Sequence, residues 1–298
     1  MKSLKDNPLF LLLATGGLLG LYFPLGRLAH DAGLNPLLWA LIISLGPGVI
    51  LVLASLRDRE GWGRGWGFAL AAAVLAYVIP NGITFAAISH IGSGFMALMY
   101  ACSPIVTAVL SMAFGVRPPS GRLLAGVALG FGGAVLIAWS RSSAGWNSET
   151  MWALLAFLVP LSLGLGNVFR TAYWPEGVSP LRLAAQTNVA AVLPLGALLI
   201  GSAGLAPFGQ LANAPALVLL QVIVSTAMFV AFFRLQWVGG PTYLSQIGYV
   251  GAAVGLAAGV FFLRESYPVL VWAGAGLIAT GVVVSNLPQR QAKPSQGN

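Results

Sequence analysis

The chain has 298 residues, 58% of them hydrophobic and only 7% charged, with a formal net charge of +8. So little charge cannot cover the surface of a water-soluble domain, and the apolar side chains must face lipid. The basic residues stand singly at the ends of apolar runs, which argues against a nucleic-acid partner, and the single Cys102, inside an apolar run, offers neither a disulfide framework nor a thiolate metal site.

In chain order, "MKSLKDNP" precedes an apolar run longer than the h-region of a signal peptide, so it reads as the lead into a first membrane span. Cutting at charges, prolines and turn residues gives ten apolar segments: 8–29, 36–55, 66–89, 92–113, 121–140, 150–171, 180–201, 214–236, 240–263 and 268–286. The tail "PQRQAKPSQGN" is expected to be disordered and cytoplasmic, covering 288–298. Loops are short, and "GWGRGWG" (61–67) follows no strand, so it reads as an interfacial turn with Trp anchors rather than a phosphate loop.

Ten spans put both termini on one side. There lie Lys2, Lys5, Arg57, Arg59, Arg64, Arg117, Arg122, Arg170, Arg182, Arg234, Arg290 and Lys293, against only Arg27, Arg141 and Arg264 on the other. Twelve against three places the termini in the cytoplasm of what is expected to be a bacterial inner membrane.

Shifting the sequence by 143 to 148 residues lays Arg27 on Arg170, "LNPL" on "VSPL", Phe85 on Phe232 and Gly92 on Gly239. Arg117 then falls on Arg264, Gly126 on Gly274 and Gly133 on Gly281. Five spans per half is an odd number, so the second half enters the membrane from the opposite side. The expected fold is therefore an all-α integral membrane protein: ten transmembrane helices as two inverted five-helix repeats, 1–147 and 148–287, around a central cavity.

The stretches "GLLGLYFPLGRLA", "FMALMYACSPIVTAVLSMAFG" and "AAVGLAAGVFFLRES" resemble the EamA branch of the drug/metabolite transporter superfamily, over essentially the whole chain. The resemblance implies a transporter of small metabolites. Two positions depart from its pattern: Arg117 and Pro118 replace the acid expected after span 4, and Pro104 has Gly251 as its counterpart in span 9. The membrane-embedded glutamate of the related small multidrug resistance proteins has no equivalent in "GGLLGLYFPLG".

Helical spacing picks out polar stripes within the apolar spans. Tyr243, Gln246, Tyr249 and Ala253 share one face of span 9, while Gly251, Gly255 and Gly259 form a smooth opposite face suited to close helix packing. Span 3 offers Tyr77, Asn81 and Thr84; span 4 Met96, Tyr100, Ser103 and Thr107; span 8 Gln221 and Ser225; spans 6 and 7 Asn167 and Gln186; span 1 Tyr22. The candidate substrate-binding set is Tyr22, Tyr77, Asn81, Tyr100, Ser103, Asn167, Gln186, Gln221, Tyr243, Gln246 and Tyr249. The repeat maps Gln246 and Tyr249 onto Met99 and Cys102, one position off the span 4 stripe, so one of the two faces is rotated by about 100° from this reading. Arg170 and Arg182, near span ends, read as snorkelling to the interface, and His90 as a solvated loop residue.

All seven acids, Asp6, Asp31, Asp58, Glu60, Glu149, Glu176 and Glu265, fall in tails, loops or helix ends. A chamber with no carboxylate does not suit a bare organic cation, which points to neutral, zwitterionic or weakly anionic amphipathic solutes, amino-acid-like ones among them. It also removes the usual proton carrier. The two histidines sit at span ends, so catalytic and metal residues are expected to be absent, as is any cofactor. The partners expected are a small-molecule substrate and the bilayer; a monomer suffices, with oligomeric state left open. The alternative function is flipping of a lipid or lipid-linked carrier.

Overall fold

The computed structural model describes residues 7–56, 64–115, 121–142, 148–244 and 246–286. The tail at 288–298 and seven of the tallied basic residues (Lys2, Lys5, Arg57, Arg59, Arg117, Arg290, Lys293) lie outside the described residues. Those that are described are helical, without strands: α1 (Pro8–Asp31), α2 (Pro36–Ser55), α3 (Trp66–Ile91), α4 (Ser93–Ala113), α5 (Gly121–Ser142), α6 (Ser148–Ala172), α7 (Pro180–Ala203), α8 (Pro215–Leu244), α9 (Ile247–Phe261) and α10 (Val269–Asn286). Seven helices are long and apolar enough to cross a membrane, and two shorter apolar stretches, Ile247–Phe261 and Val269–Gly281, join them.

Local chemistry explains where the helices start. Asn7, Asn35 and Ser179 each cap a helix whose first residue is proline, accepting N–H groups that have no carbonyl partner in the first turn. The matched "LNPL" and "VSPL" are thus the caps of α2 and α7. Prolines also set the interruptions. Pro104 cannot donate to the Tyr100 carbonyl, and α4 breaks at Cys102 into Ser93–Ala101 and Ser103–Ala113. Pro80 likewise cannot donate to Ala76, and α3 widens into a π-helical turn over Val74–Val78 in which the Ile79 N–H reaches back to the Val74 carbonyl.

Helix pairing repeats between the two halves. α2 packs on α7, α5 on α10 and α4 on α9; α1 lies against α8 and α9, just as α6 lies against α3 and α4; α3 touches α7 as α8 touches α2. The closest crossings follow the same exchange. A Cβ on Gly133 would lie 2.5 Å from the Gly274 carbonyl oxygen, and one on Gly281 would lie 2.5 Å from that of Gly126. Only glycine permits this backbone approach. Gly20 packs on Val254 of α9, and Gly164 on Val106 of α4, in the same relation.

Contacts among the described connections fall at two ends. At one, here the far end, Gln210 accepts from the Asn35 N–H, Glu265 reaches Ser93, and His90 stacks on Trp152. At the near end, where α1 begins, Gln186 donates to the Arg64 carbonyl, and Trp174 meets Phe233 and Trp237.

One expected boundary moves. The segment placed at the head of span 9 instead completes α8, which runs through Pro241 to Leu244, and Gln246 is the residue before α9. Tyr243 and Gln246 therefore do not share a helical face with Tyr249.

Candidate functional site

An internal cavity lies where α1, α3, α4, α6, α8 and α9 converge, three helices from each half. Its polar lining is Tyr22, Tyr77, Asn81, Tyr100, Ser103, Asn167 and Arg170; its apolar lining includes Leu19, Phe229, Phe232, Leu244 and Ile247. Among the described residues, α2, α5, α7 and α10 contribute nothing to the wall.

The π-turn of α3 helps to present Tyr77. Ser162 Oγ donates to the Leu75 carbonyl at 2.5 Å, satisfying a backbone oxygen within the widened turn, and Gly166 allows α6 to sit against Ala76. The Tyr77 ring packs 4.8 Å from that of Phe229, while its hydroxyl is buried without a hydrogen-bond partner. Tyr100 packs edge-on against Phe23, and its hydroxyl lies 3.3 Å from Thr84 Oγ1.

Arg170 corrects the sequence reading. It does not snorkel: the side chain is 2% exposed, and its guanidinium stands 5.1 Å from the Phe232 ring centroid. Arg182 is buried as well, at 1%. The orientation of Arg170 is fixed through a chain of side chains. Thr107 Oγ1 donates to the Ser103 carbonyl, Asn167 Nδ2 donates to Thr107 Oγ1 at 3.1 Å, and Arg170 Nη2 donates to Asn167 Oδ1 at 2.6 Å. Nε and Nη1 of Arg170 have no partner. The signal was present in the sequence as an Asn three residues before an Arg on one helical face, but burial depends on neighbours that the spacing does not report.

Six members of the expected set, Tyr22, Tyr77, Asn81, Tyr100, Ser103 and Asn167, come together on this wall. The others do not line it. Gln186 is fully buried and ties α7 to the Arg64 carbonyl, while Gln221 donates to Ser225 within α8. Gln246 sits in the α8–α9 joint, and the side chain of Tyr243 lies outside the described residues. Tyr249 packs against the apolar core, and α9 presents Ile247 and Gly248 to the cavity. Ile247 is the counterpart of Tyr100 by the offset that lays Gln246 on Met99, and both line the cavity, so the rotated face is the one assigned to span 9, not the one assigned to span 4.

At the far end a second polar cluster is closed on itself. Glu265, in the α9–α10 connection, accepts from the Ser93 N–H and Oγ, each at 2.9 Å, from the Gly94 N–H at 3.1 Å, and from the Tyr267 hydroxyl. It thereby caps α4 from a distant loop. Burial alone would raise its pKa; the hydrogen bonds from Tyr267, Ser93 and Gly94 outweigh that and hold the carboxyl below its ordinary value of 4.5. Two glycines pack closely around it. A Cβ at Gly94 would lie 2.7 Å from the Tyr267 hydroxyl oxygen, and one at Gly259 would lie 2.6 Å from a Glu265 carboxylate oxygen.

A helical membrane bundle with a buried, polar-lined cavity between its halves has the form of a solute carrier. Residues 7–139 match the EamA-like transporter family. The "Uncharacterized transporter YvbV" of Bacillus subtilis (strain 168) is 25% identical over 304 residues, covering 98% of this chain and 96% of that protein. A protein crystal structure with 16% sequence identity superposes with a TM-score of 0.67, covering 96% of this chain and 98% of that one, and shares the fold. Over residues 7–139 by the family match, and along nearly its whole length by the Bacillus protein, the chain is similar to EamA-like transporters.

Proposed function

We propose that the protein is a ten-span carrier that moves a small amphipathic metabolite by alternating access, its two five-helix halves inverted relative to each other in the membrane. The observation that carries this reading is the cavity wall: α1, α3 and α4 of one half meet their repeat counterparts α6, α8 and α9 of the other. A site shared equally between two related halves can be exposed to either side when one half rocks against the other. The reciprocal glycine contacts of α5 and α10 support the same relation. The basic tally supports cytoplasmic termini in a bacterial inner membrane.

Asn81, Tyr77, Tyr100 and Asn167 offer neutral donors and acceptors, and the aromatic rings offer apolar contact. This suits a neutral, zwitterionic or weakly anionic solute, as export, facilitated diffusion or exchange. Among the described residues no acid lines the cavity, so the solute's own gradient is expected to drive transport.

Proteoliposomes containing the purified chain test this. Loaded with a candidate solute, they should show counterflow without an ion gradient. Uphill accumulation driven solely by an imposed pH difference would defeat gradient-driven transport, and scrambling of fluorescent phospholipid without solute flux would favour the lipid-flipping alternative.

A further inference from the structure

Among the described residues, Arg170 is the one charged residue on the cavity wall. A buried guanidinium is costly unless hydrogen bonds and an opposite charge compensate it. Here one nitrogen is satisfied by a neutral amide, the cationic carbon lies over the Phe232 ring, and two nitrogens, Nε and Nη1, are unsatisfied. No hydrogen bond or ion pair among the described residues joins Arg170 to a carboxylate. Tyr77, on the same wall, also has a buried hydroxyl without a partner.

We infer that Arg170 is the anion anchor of the transported solute, and that the solute carries a single carboxylate on an apolar body that meets Leu19, Phe229 and Phe232. This rests on the transporter reading and narrows its solute class. Charge matching selects the class: one buried cation with unpartnered donors neutralises one monoanion, whereas a phosphate dianion would leave a charge without a partner. The ammonium of an amino acid finds no acid on the wall, so simple monocarboxylates fit better than zwitterions. Asn167 is a positioning residue. Its carbonyl holds Nη2 while its amide is itself held by Thr107, so the guanidinium is oriented before the solute arrives. The carboxylate is placed at Nε and Nη1, with the Tyr77 hydroxyl available to the same ligand.

Calorimetric titration of the purified full chain with phenylacetate, phenylalanine and phenethylamine tests the assignment. Phenylacetate should bind about ten-fold or more tighter than phenethylamine, with phenylalanine between them. Arg170→Gln should abolish that order, and Arg170→Lys should keep part of it. Phenethylamine binding as tightly as phenylacetate, phenylacetate failing to bind at millimolar concentration, or an unchanged order in Arg170→Gln overturns the inference.

A ligand-free measurement separates anchoring from structural support. Arg170→Met removes an uncompensated buried charge and should raise the melting temperature, by about 2 °C or more. A lowered melting temperature overturns the inference. The transporter reading fails separately: Arg170-dependent phenylacetate binding without counterflow would defeat transport and leave the anion site standing. Counterflow with no preference for carboxylates would sink the anchor and leave transport standing.

Discussion

Glu265 and Arg170 are both charged side chains drawn into the helical bundle, and their surroundings are opposites. Glu265 receives two backbone N–H groups and two hydroxyls, so its charge is consumed in holding the α9–α10 connection to the start of α4. Arg170 is more deeply buried, lines the cavity, and has two nitrogens without a hydrogen-bond partner. A charge satisfied by its own chain fixes a structure, whereas one left open by a rigid chain of neighbours is set to receive something else. The far end is thus closed by the protein, and the cavity is left for a ligand to complete.

The strongest way to break this contrast is to remove the closed charge. Glu265→Ala strips the acceptor from four donors and should destabilise the chain by about 3 kcal/mol, read as a large fall in melting temperature. Acid should do the same reversibly. Because the folded-state pKa lies below the ordinary value of 4.5, the contribution of Glu265 is fully present above that value and is lost as pH falls through the folded pKa. Thermal stability at pH 3 to 5 should therefore drop less steeply in Glu265→Gln than in the native chain, and parallel profiles would refute the clamp.

A smaller loss is expected from crowding. Gly94→Ala pushes a methyl group toward the Tyr267 hydroxyl and should cost about 1–3 kcal/mol. In the cavity the pattern reverses: Asn81→Ala should lower transport several-fold while shifting stability by less than about 1 kcal/mol, compared by flux and melting on the same preparation. A large fall in melting with unchanged flux would mark Asn81 as a structural contact between helices. Smallest of all, Gln246→Ala should change flux by less than about two-fold, because the residue lies in the α8–α9 joint rather than on the wall.

Much of this was legible in the sequence because it depends on local chemistry. Asn–Pro and Ser–Pro pairs mark the starts of α1, α2 and α7, and the spacings Tyr77 to Asn81 and Tyr100 to Ser103 pick out faces that line the cavity. The failures depend on tertiary context. Gly239, Gly240 and Pro241 signal a break, yet α8 continues through them and ends at Leu244, and the polar stretch that seemed to begin span 9 is the joint between two helices. That placement also explains why a greasy segment keeps its polar groups, since a helix end has backbone groups without intrahelical partners. Arg170 escaped for a related reason. An Arg near the end of an apolar run normally reaches water along its own stem, and only the packing of Phe232 and Asn167 shows that this one is enclosed.

The glycine-lined clamp around Glu265 has a consequence for comparing relatives and for redesign. Gly94, Gly259, Glu265 and Tyr267 fit one another so closely that a side chain at either glycine must displace the Tyr267 hydroxyl or the Glu265 carboxylate from the cluster. Across related carriers these positions should vary least even when cargo differs, and a search for specificity guided by invariance would be led to the wrong end of the molecule. Retargeting the carrier to new cargo is better begun at Asn81, Tyr77 and Arg170, with the clamp left untouched.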